Sequence, residues 1–248
     1  MRMEIHRASE RGVGEHGWLH ARHSFSFANY FNPNRMGFGA LRVLNEDIVD
    51  PGYGFGLHSH ADMEIVTIIL EGALEHKDNT GHSEIIRAGD VQRMSAGTGI
   101  THSEMNLSES ERVHLLQIWI VPKEKNIAPS YEQKTFSADS MRNTLCKIVS
   151  GEKTSGSIYI HQDAAFLTGR LDENVSVSYT LRSAEHGLYV FVISGELKMD
   201  KTRLKNGDAA AVRGTEGILM TAAKSSHILV MEVPLLQGTG GGEKGTGN

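Results

Sequence analysis

The sequence predicts an all-β protein built from two small antiparallel β-barrels in tandem. Its apolar segments are short, rich in β-branched and aromatic residues, and separated by Gly, Asp, Asn and Ser clusters, which is typical of sandwiches and barrels. The chain also contains 27 glycines, which argue against long helices. A pattern of strand, glycine turn, strand and Gly-Asp turn occurs twice, and such a repeat indicates two similar units.

Five segments have the length and composition of strands, since β-branched and aromatic residues favour the pleated backbone. They are EIVTIIL (64–70), VHLLQIWIV (113–121), SVSYTL (176–181), LYVFVI (188–193) and HILVMEV (227–233). One further segment, SADSMRNTL (137–145), is expected to form a turn or two of helix near the junction of the two units.

The repeat sets the expected domain bounds. In the first half IILEGALEH precedes IIRAGDV, with a turn at Gly72, and in the second half FVISGELKM precedes RLKNGDAA, with a turn at Gly195. Glycine supplies the left-handed backbone that such turns need. We therefore expect an N-terminal barrel at 1–135, a C-terminal barrel at 136–237 and a flexible, Gly-rich tail at 238–248.

Charge and cysteine content argue against several classes of protein. The net charge of −5, without runs of Lys and Arg, offers no surface for nucleic acid or an acidic membrane. The single cysteine, Cys146, cannot form an intrachain disulfide and is expected to be a buried or incidental thiol. The N-terminus has no apolar export segment, and no run of about 18 apolar residues could span a membrane. We expect a cytoplasmic monomer.

Two short pairs of residues indicate a metal site: His58-Ser-His60 and His102-Ser-Glu104. Residues two apart on a β-strand point to the same face, so each pair presents two ligand side chains together. Two such strands on one barrel wall would place three imidazoles and one carboxylate around a single ion. That ligand set favours a divalent transition metal (Mn, Fe, Co, Ni, Cu or Zn) over calcium or magnesium, which prefer oxygen ligands.

The second unit lacks equivalent pairs. When the two halves are aligned without gaps on their glycine turns, the four ligand positions fall on Leu181, Ser183, Met220 and Ala222. No His-x-His or His-x-Glu pair occurs anywhere in the second half. We therefore expect the C-terminal barrel to lack a metal.

These motifs resemble those of cupins, and more closely those of the pirin family. HSHADMEIVTIILEGALEHKDNTG and the later GDVQRMSAGTGITHSE are similar to the pirin signature, and GWLHARHSFSFANYFNP and FGALRVLNEDIV resemble the family's N-terminal block. The resemblance is strong from about residue 5 to 122 and weaker through the second half. Ser59 stands where the family usually has proline between the two histidines, a departure that removes no ligand.

The resemblance implies a bicupin, with two barrels of the cupin or jelly-roll type face to face and the metal in the N-terminal one. It implies that His58, His60, His102 and Glu104 bind one metal ion, with iron the first expectation. It also implies the dioxygenase activity on quercetin that some members of the family show, in which opening of the central ring releases carbon monoxide. The implied partners are therefore a flavonol and O2, with metal-bound flavonolate reacting with O2 and Glu104 also acting as general base.

Two other functions remain open for the same site. One is an iron-binding regulatory or redox-sensing protein that does not turn over flavonols. The other is an isomerase or hydrolase that uses the metal only as a Lewis acid. A deep apolar pocket beside the metal would favour the dioxygenase, whereas an exposed, charged face would favour the regulator.

The role of Glu64 is open between metal ligand and neighbour of a ligand. In general cupins the glutamate at this position binds the metal, whereas in pirins the second glutamate takes that place. Glu64 lies four residues after His60, an even offset, so its side chain faces inward if the strand is regular. We expect Glu104 to be the ligand and Glu64 to orient a ligand histidine.

The remaining histidines and aromatic residues are expected to be structural or to line the pocket. We place His20 and His23 in a loop or pocket wall, and Phe25 and Phe27 on one core-facing strand face, where they could alternatively line an apolar pocket. The side chains expected to be solvated, structural or in the core are His76, His82, His114, Trp18 and Trp119.

Overall fold

The computed structural model describes residues 1–153 and 156–235. Strands make up 60% of the chain and helix 3%, so the all-β prediction is confirmed. The tail predicted at 238–248 lies outside the described residues. In chain order the strands are β1 (Arg2–His6), β2 (Gly12–Glu15), β3 (Leu19–His23), β4 (Leu41–Val49), β5 (Gly54–His60), β6 (Glu64–Glu71), β7 (Ala73–Asp78), β8 (Ser83–Arg87), β9 (Asp90–Ser95), β10 (Ile100–Met105), β11 (Val113–Ile120), β12 (Ser130–Thr135), β13 (Cys146–Ser150), β14 (Ile158–Tyr159), β15 (Ala165–Leu171), β16 (Ser176–Thr180), β17 (His186–Met199), β18 (Thr202–Lys205), β19 (Ala209–Arg213) and β20 (Gly217–Pro234).

All five predicted strand segments are found, with small shifts at their ends. Segments 64–70, 113–121 and 176–181 correspond to β6, β11 and β16. Segments 188–193 and 227–233 lie inside the long strands β17 and β20, because the pairing of these two strands continues through polar residues such as Glu196 and Lys224.

Helical structure is limited to two short 3-10 helices, Ala8–Glu10 and Ala138–Met141. The helix predicted at 137–145 is therefore one turn long, and the Ser137 side chain caps it by accepting a hydrogen bond from the Ser140 backbone N–H. Within the described residues, no helix is long and apolar enough to cross a membrane.

The N-terminal half is a sandwich of two sheets. A seven-stranded sheet has the order β12-β9-β6-β11-β4-β3-β2, and a four-stranded sheet has the order β5-β10-β7-β8. Leu115 of the larger sheet packs with Leu74 and Ile86 of the smaller one in a shared apolar cluster. This packing holds β5 and β10, which carry the two predicted ligand pairs, opposite β3, β4 and β11.

The C-terminal half is a nine-stranded sheet folded around its own apolar core. The main path is β1-β19-β17-β20-β15-β13-β14, with β16 on β20 and β18 on β17. Met220 and Ala222 are fully buried in this core, and Leu181 packs against it. Ser183 instead accepts a hydrogen bond from the Glu185 backbone N–H. Over the described residues, the only clusters of three ligand-type side chains lie in the N-terminal half.

The internal repeat differs between the two halves at its glycine. Gly72 has φ +76 and separates β6 from β7, as the sequence predicts. Gly195 has φ +91 but lies inside β17, whose register with β20 shifts between Ser194 and Glu196. The second half therefore has one bulged, continuous strand in place of two strands and a turn.

The strand pairing supports only part of the two-barrel prediction. None of the three sheets closes on itself over the part of the chain described, so two closed barrels are not confirmed. In addition, β1 pairs with β19 from Arg2 opposite Arg213 to His6 opposite Ala209. The first strand thus belongs to the C-terminal sheet, although the sequence assigned it to the N-terminal unit at 1–135. The division of the chain near residue 135 stays a prediction.

A second apolar core joins the two halves. Val66 and Ile118 of the seven-stranded sheet pack with Phe166, Tyr189 and Leu229 of the nine-stranded sheet. Alternation along β6 and β11 places the neighbouring residues on the opposite face, inside the N-terminal sandwich. The interior of that sandwich is therefore a separate compartment, enclosed by two sheets.

Candidate metal centre

Strand pairing brings the two predicted ligand pairs together. In the antiparallel ladder of β5 and β10, His58 is the register partner of His102 and His60 is the partner of Ile100. Ring centroids are 4.4 Å apart for His58 and His102, 4.8 Å for His58 and His60, and 5.1 Å for His60 and His102. The register then shifts at a bulge between His102 and Glu104.

Two overlapping groups of side chains could hold a metal ion. In the first, ligand atoms of His58, His60 and His102 all lie within 4.8 Å of one another. In the second, the same holds for His76, His102 and Glu104. His102 is common to both groups, so the four predicted ligands meet around this one imidazole, and His76 joins them.

Two buried atoms at the centre lack a hydrogen-bond partner. They are His102 Nε2 and Glu104 Oε1. Such orphaned polar atoms are rare in protein interiors because burial without a partner is costly. A divalent ion bound to both atoms would remove that cost, so the residues present fit a metal.

The other oxygen of Glu104 is already engaged. Gln117 Nε2 donates a hydrogen bond of 2.9 Å to Glu104 Oε2, and Trp119 Nε1 donates one of 3.3 Å to Gln117 Oε1. Both donors stand on β11, in the seven-stranded sheet. This chain of hydrogen bonds fixes the carboxylate and leaves Oε1 without a hydrogen-bond partner.

The electrostatics keep the imidazoles neutral, as metal binding requires. Burial and the His58 ring lower the pKa of His60 to about 4. Burial and the neighbouring imidazoles of His58, His60 and His76 lower the pKa of His102 to about 2. Burial also raises the pKa of the Glu104 carboxyl. At neutral pH the two histidines therefore present lone pairs rather than protons.

A hydrogen-bond chain behind the centre sets the tautomer of His102. His76 is fully buried on β7, with its Nδ1 3.4 Å from His102 Nδ1 and its Nε2 3.1 Å from Asp78 Oδ2. Although burial opposes ionisation of Asp78, hydrogen bonds from Thr80 and His76 lower its pKa. An ionised Asp78 requires the proton on His76 Nε2, so His76 Nδ1 accepts from His102 Nδ1–H. His102 Nε2 then keeps its lone pair for a metal.

His58 is oriented in a similar way. Its Nδ1 donates a hydrogen bond of 2.8 Å to the Gly56 carbonyl oxygen, which can only accept. The proton is therefore on Nδ1, and Nε2 carries the free lone pair. The sequence predicts a solvated or structural role for His76, whereas the structure places it beside His102. The signal available was the His-x-Asp pair at 76 and 78, which alternates on a strand as the two ligand pairs do.

The expectation for Glu64 is wrong. Its Oε2 accepts a hydrogen bond of 3.1 Å from the His161 backbone N–H and lies 3.4 Å from His161 Nδ1. Glu64 belongs to neither group of possible ligands. The chain leaves the four-stranded sheet after His60 and enters the seven-stranded sheet at Glu64, so the even offset no longer fixes a common face.

A cavity of about 470 Å³ opens onto the centre. Its apolar wall consists largely of aromatic side chains, with the Trp18 and Phe55 rings in an edge-to-face contact at 5.5 Å. The His60 and Trp119 rings meet at 4.9 Å. The aromatic and aliphatic residues of the wall are Trp18, Leu19, Phe27, Phe55, Leu57 and Trp119.

Several residues of the cavity wall can be compared with the positions that the sequence predicts for them. Trp18 and Trp119 pack against the core, as expected, and in addition line the cavity. His23 is part of the wall, in agreement with one of the two expectations for it. Phe25 lies in the core between the halves, whereas Phe27 faces the cavity, so the two do not share a face.

The other histidines have structural roles away from the cavity. His20 Nδ1 lies 2.5 Å from Glu15 Oε2 on the surface, and His114 Nε2 lies 3.0 Å from Glu46 Oε1. His82 stacks on the Tyr131 ring at 4.9 Å.

Histidines and a carboxylate gathered from neighbouring strands beside an apolar cavity define a cupin-type protein with a candidate metal site. Comparison with known families makes this specific. The family model described as Pirin matches residues 5–120, and the model described as quercetinase C-terminal cupin domain matches residues 147–233. The chain belongs to the pirin family.

Individual relatives cover nearly the whole chain. The quercetin 2,3-dioxygenase of Escherichia coli K12 is 41% identical over 230 residues, covering 93% of this chain and 98% of that protein. The crystal structure of the E. coli pirin YhhW in complex with nickel(II) has 40% identity and a TM-score of 0.90, covering 95% of this chain and all of that one. A quercetin 2,3-dioxygenase from Acinetobacter baumannii, at 18% identity and TM-score 0.73, shares the fold.

Proposed function

We propose that this protein is a metal-dependent dioxygenase that cleaves the central ring of a flavonol such as quercetin. The observation that carries the proposal is the pair of orphaned buried atoms, His102 Nε2 and Glu104 Oε1, next to an aromatic cavity. We assign one divalent transition metal to His58, His60, His102 and Glu104. Iron is the first expectation, and nickel is the ion in the structure of the E. coli relative.

The cavity supports an aromatic substrate. Flat, apolar molecules bind best where side-chain rings cover their faces and a few polar groups fix their orientation. Trp18, Phe27, Phe55 and Trp119 provide such rings within a cavity of about 470 Å³. Relatives that carry the name quercetin 2,3-dioxygenase agree with this substrate class.

The protein residues would bind and orient the substrate and would exclude water from the site. When bound, the metal would supply positive charge that favours a deprotonated substrate hydroxyl and would support the reaction with O2. Gln117 would keep the Glu104 carboxylate in one orientation, and His76 would keep His102 in one tautomer. The apolar wall would hold the substrate ring and keep bulk water from the reacting oxygen.

The sequence also assigns the general base to Glu104. One oxygen of this carboxylate accepts from Gln117 and the other is the candidate ligand atom. Glu104 would therefore have to take a proton on an oxygen that also holds the ion or the Gln117 amide.

The cavity favours the enzyme over the regulatory alternative. A redox-sensing module would need a surface near the metal that a partner could contact. Here His102 and Glu104 are buried, and the opening beside His58 and His60 is lined mainly by apolar side chains.

An aerobic assay with quercetin tests the proposal. Purified protein of known metal content is compared with chelated protein and with His58→Ala, and flavonol absorbance, O2 uptake and carbon monoxide release are followed. We expect carbon monoxide release only from the metal-loaded wild type. His20→Ala, which removes an exposed histidine paired with Glu15, is the matched control and should keep full activity. Metal-loaded protein that neither binds nor consumes the flavonol would refute the proposal.

A further inference from the structure

A buried carboxyl in the cavity wall has no partner. Asp47 stands on β4, lines the cavity and is 4% exposed. Its Oδ1 is buried without a hydrogen bond, and no ion pair reaches the side chain from the described residues. Its neighbour Glu46 points the other way and pairs with Arg11 and His114. The Asp47 carboxyl therefore lacks the ion pairs that stabilise the neighbouring Glu46 carboxylate.

An unpartnered buried carboxyl costs stability, so its presence calls for an explanation. Burial and the negative charge of Glu104 raise the pKa of Asp47 to about 7, against the opposing influence of Arg11. The other charged or titratable groups that act on Asp47 are Glu46 and His114. The cavity-wall histidines are His23, His58 and His60.

Asp47 lies in the wall of the cavity that belongs to the sheet opposite the histidine ligands. Its strand, β4, belongs to the seven-stranded sheet, whereas the histidine ligands stand on β5 and β10 of the opposite sheet. Both sheets line one cavity. A substrate between them would meet the metal on one side and Asp47 on the other. No hydrogen bond or ion pair joins Asp47 to a proposed ligand within the described chain.

We propose that Asp47 is the residue that accepts the proton of the substrate hydroxyl. The proposal rests on the dioxygenase function and names its proton acceptor. The substrate O–H bond breaks and an O–H bond forms on an Asp47 carboxylate oxygen. The electron pair stays on the substrate oxygen, so no oxidant or reductant takes part in this step. Glu104 meanwhile keeps its hydrogen bond from Gln117 and its place at the ion.

The proposal also defines the substrate class. The substrate must carry an acidic enolic or phenolic hydroxyl on a flat aromatic skeleton, because the carboxylate needs a proton to take and the wall needs rings to cover. Burial raises the pKa of the Asp47 carboxyl, and a carboxylate with a raised pKa is a better acceptor for such a proton. A flavone without that hydroxyl would leave Asp47 unpartnered and should bind more weakly.

Anaerobic stopped-flow mixing with quercetin tests the assignment without turnover. Metal-loaded wild type, Asp47→Asn and Glu46→Gln are mixed with quercetin between about pH 5 and 9, and the rise in the red-shifted absorbance of the bound anion is followed. We expect the rate in the wild type to increase with pH, because Asp47 can accept the proton only when it is ionised. Asp47→Asn, which keeps the shape but cannot accept the proton, should form the anion about 100-fold more slowly at pH 7, since a positioned base typically contributes about 10²–10⁴-fold. Glu46→Gln should stay close to the wild-type rate, because Glu46 points away from the cavity and is only a minor influence on Asp47.

Metal content and stability separate the assignment from a structural role. Asp47→Asn should bind as much metal as the wild type and unfold at equal or higher urea concentration, because it removes an uncompensated carboxyl. If the Asp47 carboxylate merely supported the fold, its replacement would lower the urea midpoint. If Asp47→Asn does not purify with full metal content, Asp47→Ser repeats the test with a smaller side chain.

The outcomes distinguish the two proposals. Wild-type protein that forms the anion, with Asp47→Asn forming it equally fast at every pH, would overturn the Asp47 assignment and leave the dioxygenase intact. A loaded wild type that binds no flavonol would remove both. Slower anion formation in Asp47→Asn with unchanged metal content would support the assignment.

Discussion

The Nδ1 atoms of His76 and His102 lie 3.4 Å apart, and this contact decides which nitrogen of His102 faces the candidate metal. His76 receives its own orientation from Asp78, at 3.1 Å. A metal ligand whose second ring nitrogen is hydrogen-bonded is held in one tautomer and one rotamer. The buried row of Asp78, His76 and His102 is therefore part of the site, and His102 is the member that we assign to the metal.

Replacing His76 should weaken metal binding. His76→Phe fills the space but removes the acceptor for His102 Nδ1–H, and loss of such a partner typically costs about 10–100-fold in metal affinity. Competition with a coloured chelator measures the affinity. His227→Gln, which changes a buried histidine of the C-terminal sheet, should leave it unchanged. Equal affinity in His76→Phe and wild type would mean that His76 does not orient the ligand.

Removing the Gln117 amide should affect both the metal and the fold. Gln117→Leu leaves Glu104 Oε2 buried without its donor, at a cost of about 1–3 kcal/mol in the free energy of unfolding of the chelated protein. The freed carboxylate should also release the ion faster. Urea denaturation and metal dissociation kinetics check the two effects. A variant as stable as the wild type would show that water replaces the amide.

The exposed side chain of Leu57 should contribute to substrate binding. It is 78% exposed on β5 and lines the cavity, so it can cover an aromatic ring without being needed by the fold. Leu57→Ser should raise the dissociation constant for quercetin by roughly 5–30-fold, the effect of losing about 1–2 kcal/mol of apolar contact. Metal content should be unchanged.

Leu219→Ser is the matched control for Leu57→Ser. Leu219 is 61% exposed on β20 of the C-terminal sheet, outside the wall of the metal cavity. Its substitution should leave quercetin affinity at the wild-type value. A parallel loss in both variants would indicate a general effect on the protein and not a contact at the cavity.

His227 should make the chelated protein sensitive to acid. Burial and the charge of Arg170 lower the pKa of His227 from 6.5 to about 4. Between these values the unfolded chain holds a proton that the folded chain excludes, so stability falls as the pH drops from about 6.5 towards 4. The slope for this one proton is at most about 1.4 kcal/mol per pH unit.

His227→Gln checks the origin of that slope. The amide can keep the contact with Thr168 Oγ1, which lies 2.9 Å from His227 Nε2, but it does not titrate. Urea midpoints at pH 7, 6 and 5 should therefore decline less steeply in the variant. The same decline in both proteins would assign the acid sensitivity to other groups, among them His60 and His102.

Much of the site could be predicted because the signal is local. His58 and His60, like His102 and Glu104, alternate within one strand, so their common face follows from the period of two. The prediction that 64–70 and 113–121 are strands likewise follows from their local composition. The prediction for Glu64 used the same period across the turn after His60, where the chain changes sheets and the period no longer applies.

The sequence by itself determined the all-β class and the pirin resemblance, and it predicted the four residues that we assign to the metal. Only the tertiary structure placed His76 behind His102 and left Asp47 without a partner in the cavity. It also showed that β1 pairs with the C-terminal sheet and that β17 continues through a register shift at Gly195. The reason is physical: residue spacing fixes which side chains share a face within a strand. Which strands become neighbours, and which polar atoms are left unpaired between two sheets, depends on the pairing and packing of distant segments.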